Sequence, residues 1–404
     1  MNRISLYDTT LRDGSQTPGA GMAPVQKLEA AKRLGEMGVD VIETGFPYAS
    51  KTDFEATTLI AKHFAAAAAG PVIAAFAILR DKTVDAAWDA VKLAGKRRIH
   101  LGIGTSDVHL DQKMRATREQ MLDRIGAAIR HAATYDWEVQ FFAEDAPRSD
   151  PAFLCEALSV AIEAGARFLE ISDTVGFCTP SGYGALIKEI VENVRNISKA
   201  VIGTHTHNDF GLAVANTLAG LENGARQVGS SMNGLGERAG NADTGTLALL
   251  FREHPEIGFI TGVKPELIFP TARFISDATG IRIPQNQPLV GKNAFRTGTG
   301  LHQNGFLKDL SRNPRPKRFS YSAYDPRDYG LEFSFVYNYL SGSKGLAFRL
   351  NELGYVNLDD ETRKKFYEEF IKIANLNENL CREDLPESVF RQIAEKLMLK
   401  INKL

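Results

Sequence analysis

The chain has 404 residues, of which 44% are hydrophobic and 24% are charged, and its formal net charge at pH 7 is -1. This is the composition of an ordinary globular protein, and the balanced charge excludes the basic excess typical of proteins that bind nucleic acid or a membrane surface. The sequence shows no apolar signal-peptide core at its start, no stretch long enough to span a membrane and only three widely spaced cysteines, which predicts a cytoplasmic location.

Eight short runs of apolar and β-branched residues recur along the first part of the chain, each followed by a stretch with helical spacing. The runs are ISLYDT (4–9), VDVIETG (39–45), VIAAFAI (72–78), IHLGIG (99–104), EVQFFAE (138–144), RFLEIS (167–172), AVIGTHTH (200–207) and QVGSSMN (227–233). Continuous apolar strands that alternate with helices indicate a parallel sheet covered by helices. Eight such units in about 250 residues predict an α/β fold of the (β/α)8 TIM-barrel type. An open doubly wound sheet is the alternative, but no G-x-G-x-x-G follows the first run.

The pattern changes after about residue 280. Residues 281–340 are rich in Pro, Gly, Asn and aromatic residues, which indicates an irregular linker, whereas residues 341–404 have mostly helical spacing. We therefore predict a catalytic barrel at 1–280, a linker at 281–340 and a small, mainly helical subdomain at 341–404.

Polar residues follow the predicted strands at their carboxyl ends, where the active site of such a barrel lies. They are Arg12 and Asp13, Glu43, Glu144 and Asp145, Asp173 and Thr174, His205 and His207, and then Asn233, Glu237, Arg238 and Asn241. So many ionisable groups at the ends of buried strands predict a site at this end of the barrel.

The segment GTHTHNDFG (203–211) suggests a metal centre. His205 and His207 are two positions apart, so on a strand they face the same side and could share one cation. Asp13 could add a carboxylate and Asn241 a carbonyl oxygen, because the first and eighth strands are neighbours in a closed barrel. This mixed nitrogen and oxygen set suits a divalent Zn, Mn, Co or Mg ion. The alternative is a set of strand-end residues that only bind loops.

Six ordered segments resemble those of the 2-isopropylmalate synthase and homocitrate synthase family, within the DRE-TIM metallolyases. They are LYDTTLRDGSQTPG, IETGFP, TSDVHL, ISDTVGFCTP, GTHTHNDFGLAVANTLAGLENGA and NGLGERAGNA. The resemblance implies an acyltransferase that condenses acetyl-CoA with a 2-oxo acid at a divalent metal ion. Hydrolysis of the thioester then releases CoA and a 2-hydroxy di- or tricarboxylate.

The resemblance also implies roles for individual residues. Asp13, His205 and His207 would be metal ligands, with Asn241 in or near the coordination shell. Arg12 would stabilise negative charge on the reacting oxygens. Glu144 would take part in proton transfer, and Thr174 would bind the carboxylate of the 2-oxo acid. Glu43 and His109 fall where the family lines the pocket for the variable side chain of the substrate, although either could be structural.

The linker departs from the family pattern. Many synthases read Asn-Ala-Phe-x-His-x-Ser-Gly-x-His, whereas this chain reads NAFRTGTGLH, so that Thr297 replaces the first histidine and His302 remains. We expect His302 to be the catalytic partner of Glu144. The family arrangement implies a homodimer with exchanged C-terminal segments, in which the linker of one chain covers the barrel mouth of the other.

The sequence leaves several alternatives open. The sequence does not specify the 2-oxo acid. The same resemblance therefore also allows a homocitrate synthase, a citramalate synthase or a synthase of an aromatic or modified alkylmalate. A hydroxymethylglutaryl-CoA lyase-like aldolase would run the bond chemistry in reverse and needs a reactive cysteine, for which Cys178 is the candidate. A barrel that only binds ligands is the third alternative. Because the chain ends at Leu404, we also expect no allosteric inhibition by a pathway amino acid.

Overall fold

The computed structural model describes residues 1–66, 69–135, 137–314, 319–380, 382 and 384–400. The chain divides into two units, Met1–Ile283 and Pro284–Leu404. This boundary falls three residues after the predicted end of the barrel domain. Of the three cysteines in the chain, Cys381 lies outside the described residues.

Eight parallel strands form a closed barrel among the described residues of the first unit, which confirms the predicted (β/α)8 fold. They are β1 Ser5–Asp8, β2 Val41–Glu43, β3 Val72–Ile78, β4 Arg97–Gly104, β5 Glu138–Glu144, β6 Phe168–Asp173, β7 Val201–Thr206 and β8 Gln227–Ser230. The strands pair in chain order, and β1 closes the ring against β8, with Ser5 opposite Gln227 and Asp8 opposite Ser230. This closure excludes the open doubly wound sheet.

Each barrel strand is followed by a helix in the described part of this unit. The helices are α1 Pro24–Met37, α2 Lys51–His63, α3 Asp81–Val91, α4 Arg118–Ala133, α5 Pro151–Ala164, α6 Pro180–Asn193, α7 Ala213–Glu222 and α8 Thr244–Glu253, with α9 Ile268–Thr279 after them. Side-chain caps fix several helix starts: Ser50, Asp150 and Asp243 accept hydrogen bonds from backbone N–H groups of α2, α5 and α8. The two-residue strand Asn2–Arg3 pairs in parallel with Phe259–Ile260.

The barrel interior is unusually polar. Arg98 of β4 is 2% exposed, and its Nη1 donates hydrogen bonds to Gln140 Oε1 at 2.8 Å and Gln227 Oε1 at 2.7 Å. Closer to the carboxyl ends of the strands lie the buried side chains of His100 and Glu170. Barrel interiors are usually filled by branched apolar residues. In this barrel, hydrogen-bonded polar side chains fill the interior instead. They supply fixed partners for the side chains nearer the carboxyl ends of the strands.

The second unit is mainly helical. Its helices are α10 Gly300–Leu310, α11 Ser343–Glu352, α12 Asp360–Ala374, α13 Asn377–Leu380 and α14 Glu387–Lys396. Their core includes the buried rings of Phe366, Phe370 and Phe390. Asp359 accepts a hydrogen bond from the backbone of α12, as its position before the helix predicts.

The residues predicted as an irregular linker contain one regular helix, α10, and this part of the prediction was wrong. The buried face of α10 includes the polar residues Gln303 and Asp309 beside Phe306, so it lacks the apolar periodicity that marks a helix. Gln303 Nε2 donates to the backbone oxygen of Val336 at 2.9 Å. The short parallel pair Arg296–Thr297 and Ser334–Phe335 holds the segments on either side of the helix together. None of the helices among the described residues has the length and hydropathy needed to cross a membrane.

Candidate active site

A cavity of about 880 Å³ opens at the carboxyl ends of the barrel strands. Six of the residues for which the family resemblance implied individual roles line it: Arg12, Asp13, Glu144, Thr174, His205 and His207. The residues come from β1, β5, β6 and β7 and from the loops after them. Closure of the barrel therefore brings together side chains that are up to 195 positions apart in the sequence.

Asp13, His205 and His207 form a buried cluster in this cavity. One potential ligand atom from each residue lies within 4.8 Å of the others. His205 Nε2 lies 3.2 Å from His207 Nε2, which in turn lies 3.9 Å from Asp13 Oδ2. Burial, with His207 as the next cause, lowers the pKa of His205 to about 3, and burial also lowers the pKa of His207. Both imidazoles are therefore neutral at pH 7, which is the form that binds a metal ion.

Asn241, the predicted carbonyl ligand, contacts Asp13 of this cluster. It is 3% exposed, and its Nδ2 donates to Asp13 Oδ2 at 2.7 Å and to the backbone oxygen of Leu235 at 3.0 Å. These two bonds fix the amide, and its Oδ1 is buried without a hydrogen-bond donor among the described residues. A buried acceptor without a donor is costly unless a cation or water satisfies it. The donor set of two imidazoles, one carboxylate and one amide oxygen fits a divalent metal ion.

Arg12 is held rigidly beside this cluster. Its Nη1 donates to Asp13 Oδ1 at 2.9 Å and its Nε donates to Glu43 Oε2 at 2.8 Å. The guanidinium also lies 5.0 Å from the centre of the Phe76 ring. These three contacts fix the charge at one place in the cavity, as electrostatic stabilisation of a reaction requires.

Glu43 does not line the cavity, and its expected contact with the variable part of the substrate stays a prediction. The side chain is fully buried beneath Arg12, and Thr9 Oγ1 donates to its Oε2 at 2.7 Å. Burial by itself would raise the pKa of Glu43, but Arg12 and His100 outweigh it and hold the pKa well below its usual range. The residue is thus a permanently charged support for Arg12.

Two groups that the sequence analysis did not select, His100 and Glu170, connect Glu43 with the metal cluster. His100 Nδ1 lies 2.7 Å from Glu43 Oε1, and its Nε2 lies 3.6 Å from Glu170 Oε1. Glu170 lines the cavity, and burial raises its pKa to about 7. Both residues stand inside predicted strands, where an ionisable side chain needs a buried partner. Their positions inside predicted strands could have identified them as candidate site residues.

Glu144 lies across the cavity at the end of β5. Lys113 Nζ donates to both of its carboxylate oxygens at 2.8 Å, a contact that the sequence did not predict. Lys113 stands on a π-helical turn, His109–Met114, and such turns are frequent at functional sites. His109, on the same turn, has Nδ1 at 3.7 Å from Glu144 Oε2 and Nε2 at 3.8 Å from Asp145 Oδ2. His109 is not among the lining residues, and its predicted contact with substrate has no support in the cavity geometry.

Thr174 lies in the loop after β6, at the rim of the cavity. Its Oγ1 accepts a hydrogen bond from the backbone N–H of Asp145 at 2.8 Å, which leaves the hydroxyl proton for a ligand. Arg238 Nη2 donates to the Thr174 backbone oxygen at 2.6 Å, and Arg238 is itself paired with Asp209. The threonine is therefore fixed from both sides, as a residue that orients a carboxylate should be.

The last predicted site residue, His302, lies in the second unit on α10. Its exposed ring stacks on Tyr321, with the ring centres 4.1 Å apart. Thr297, which stands where many synthases have histidine, is half-buried in the short strand opposite Phe335. The structure thus shows where these two residues lie within their own unit, and the catalytic role of His302 stays a prediction.

Cys178, the candidate thiol for a lyase, is poorly suited to that role. The side chain is 8% exposed, and burial, together with nearby Asp173, raises the pKa of its thiol to about 12. A reactive cysteine needs a lowered pKa, because the thiolate is the nucleophile. The local environment therefore disfavours the lyase alternative.

The comparisons with known proteins agree with this geometry. The HMGL-like family model matches residues 3–275. The chain is 43% identical to the 2-isopropylmalate synthase of Heliobacterium modesticaldum, over 95% of this chain and 73% of the relative. It is 42% identical to the enzyme of that name from Pelotomaculum thermopropionicum, over 95% of this chain and 74% of the relative.

Solved structures support the fold. The hydroxymethylglutaryl-CoA lyase of Pseudomonas aeruginosa matches with a TM-score of 0.60 and 20% identity, over 70% of this chain and 95% of that one. The HMG-CoA lyase of Brucella melitensis matches with a TM-score of 0.59 and 20% identity, over 69% of this chain and 100% of that one. At this identity the likeness concerns the barrel alone.

Proposed function

This chain belongs to the HMGL-like family, with 2-isopropylmalate synthases as relatives, and we propose that it condenses acetyl-CoA with a 2-oxo acid and then hydrolyses the thioester. The observation that carries the proposal is the position of Arg12 beside the buried Asp13, His205 and His207 cluster in one cavity. A divalent metal ion held by these three residues and Asn241 would supply a Lewis acid that polarises the ketone of the 2-oxo acid.

Arg12 serves the step in which negative charge develops. Deprotonation of the acetyl methyl group places charge on the thioester oxygen, and attack on the ketone transfers the charge to a new alkoxide. The guanidinium is fixed between Asp13 and Glu43, so it stabilises this charge without having to reorganise during the reaction.

Glu144 is the proposed proton-transfer group. It lines the cavity opposite the metal cluster, and Lys113 holds both of its oxygens in place. A carboxylate can take a proton from the acetyl methyl group, whereas an arginine held by two carboxylates cannot. Thr174, whose hydroxyl proton is available, would orient the carboxylate of the 2-oxo acid.

The lining of the cavity supports an uncharged side chain on the 2-oxo acid. Phe76, Ile103 and Phe142 form an apolar wall, and the rings of Phe76 and Phe142 lie 5.2 Å apart. Glu170 in the same lining disfavours a second carboxylate, as in 2-oxoglutarate. A product of the 2-isopropylmalate type, or a bulkier alkylmalate, therefore fits better than homocitrate. Arg80 and Arg124, also at the cavity, are suited to the phosphates of CoA.

The proposed enzyme acts as a homodimer in the cytoplasm. Sequence resemblance, with His302 in a glycine-rich segment of the second unit, supports an exchange of C-terminal segments between the two chains. His302 of one chain would then serve the barrel of the other. The absence of disulfide pairing for Cys155 and Cys178 is consistent with a reducing compartment.

The proposal is tested by the release of CoA from acetyl-CoA in the presence of single 2-oxo acids. A free-thiol assay with 2-oxoisovalerate, phenylpyruvate, pyruvate and 2-oxoglutarate should show release that depends on an added 2-oxo acid and is greatest for an apolar side chain. Cleavage of hydroxymethylglutaryl-CoA to acetyl-CoA, without any condensation, would support the lyase instead. A protein that binds no metal and leaves every 2-oxo acid unchanged would be a binding protein.

A further inference from the structure

Glu170 occupies the position between two histidines of the site. Its Oε1 lies 3.8 Å from Nδ1 of His205 and 3.6 Å from Nε2 of His100. The side chain is 1% exposed. The two histidine nitrogens are also buried, and neither has a hydrogen-bond partner among the described residues.

A hydrogen bond from Gln140, deeper in the barrel, sets the orientation of the Glu170 carboxylate. Gln140 Oε1 accepts hydrogen bonds from Arg98 Nη1 at 2.8 Å and from Gln227 Nε2 at 3.0 Å. The Gln140 amide must therefore point its Nε2 away from them, and this group donates to Glu170 Oε2 at 3.0 Å. With Oε2 occupied, Oε1 is the oxygen that remains for the histidines.

A histidine that binds a metal ion through one ring nitrogen carries its proton on the other nitrogen, and that N–H needs an acceptor. His205 directs Nε2 towards His207 and Nδ1 towards Glu170. Glu170 Oε1 is the acceptor that the described surroundings of Nδ1 offer. The present 3.8 Å is longer than a hydrogen bond, so the ring and the carboxylate have to approach each other when His205 binds a cation.

We propose that Glu170 is a positioning residue for the metal centre, which fixes the tautomer and the orientation of His205 by accepting a hydrogen bond from Nδ1–H. This inference rests on the metal-binding part of the proposed function. It also explains why a carboxyl group is kept inside the barrel, where a group of this kind is costly to bury. Arg98 would then be linked to the proposed metal ligand His205 through Gln140 and Glu170.

The test is the affinity of the purified full-length protein for Co²⁺, measured after metal removal by competition with a chromophoric chelator. In Glu170→Gln, the single amide oxygen can face either Gln140 or His205 but not both. We expect the dissociation constant for Co²⁺ to rise about 10- to 100-fold, and the visible absorption of the bound Co²⁺ to change because the His205 ring is no longer fixed.

Asp85→Asn is the matched control. Asp85 also contacts a histidine, His131, with Oδ1 at 2.6 Å from Nε2, but this pair lies on α3 and α4 outside the cavity. The Asp85→Asn protein should bind Co²⁺ with the same affinity as the wild type. If Glu170→Gln does not fold, Glu170→Asp decides the question: it keeps the charge but withdraws the carboxylate, and should raise the dissociation constant at least about threefold.

The outcomes separate this inference from the proposed function. Wild-type protein that binds no Co²⁺ would contradict the metal centre itself. Tight binding by the wild type, with equal affinity and an unchanged spectrum in folded Glu170 variants, would overturn only the role given to Glu170.

Discussion

His100 Nδ1 lies 2.7 Å from Glu43 Oε1, in a contact where both side chains are fully inaccessible to solvent. Glu43 in turn accepts a hydrogen bond from Arg12, and Arg12 donates to Asp13. The position of the proposed catalytic arginine is therefore determined by groups one and two steps away from the cavity.

Glu43→Gln should lower kcat because a neutral amide cannot balance the Arg12 charge or accept from both sides as the carboxylate does. We expect a decrease of about 10- to 100-fold, with a much smaller change in the KM for the 2-oxo acid. Steady-state kinetics with saturating acetyl-CoA measures both constants. Asp40→Asn, which neutralises the partner of Arg3 outside the cavity and can still accept from the Leu6 backbone, should behave like the wild type. A Glu43→Gln enzyme with wild-type kcat would refute the supporting role.

Glu144→Gln should retain its metal but lose at least about 99% of kcat, because the amide cannot accept the proton of the acetyl methyl group. Lys113→Met should cause a smaller loss, since it removes the group that holds both Glu144 oxygens. Lys113→Arg should restore most of that loss, because the positive charge is kept. If Glu144→Gln stays highly active, another residue must be the proton acceptor.

The exchanged dimer predicts complementation between two inactive variants. Glu144→Ala and His302→Ala chains, unfolded and reassembled together, should regain roughly a quarter of the wild-type activity, because about half of the dimers are mixed and each has one complete site. Light scattering would confirm that the reassembled protein is dimeric. A mixture that forms dimers but stays inactive would show that His302 does not serve the partner's barrel.

Asp8 makes the stability of the protein depend on pH. The side chain is fully buried, and burial raises its pKa to about 7, although hydrogen bonds from Thr10 and Thr244 oppose the shift. In the unfolded chain the carboxyl group ionises near pH 4. Its contribution to stability is therefore complete below about pH 4 and is lost as the pH rises to about 7.

Asp8→Asn should remove this loss, because the amide stays neutral at every pH. Its oxygen can still accept from the Thr10 backbone, and its Nδ2 can donate to the Thr244 hydroxyl. Denaturant unfolding should show that the variant gains stability over the wild type, and that the gain is roughly 2 kcal/mol larger at pH 8 than at pH 5. An equal gain at both pH values, or a larger one at pH 5, would contradict the raised pKa.

The sequence was sufficient to predict the barrel and to place polar residues at the ends of its strands. The alternation of β-branched runs with helices predicts the eight strands, and the carboxyl end of each strand is defined by the run before it, which is why Asp13, His205 and His207 could be placed together. Glu43 also follows a strand, but its rotamer turns it under Arg12, and strand position alone does not specify that direction.

Other features depend on contacts that a linear pattern does not contain. Glu170 and His100 stand within strands, and their function depends on which neighbours across the barrel meet them. Lys113 reaches Glu144 from a π-helical turn whose geometry has no clear sequence pattern. The buried face of helix α10 includes polar residues, so the sequence lacks the apolar periodicity that would have predicted a helix there.

The central claim is a metal-dependent condensation at the Asp13, His205 and His207 cluster. The most direct measurement supplies metal-free protein with acetyl-CoA labelled with ¹³C in the acetyl group and with 2-oxoisovalerate, then restores Mn²⁺ and identifies the products by mass spectrometry. The wild type should form a 2-hydroxy dicarboxylate that contains both labelled carbons, only after Mn²⁺ is added, and His207→Ala should form almost none. Labelled product at the same rate in metal-free protein and in His207→Ala, or labelled acetate alone in every sample, would contradict the claim.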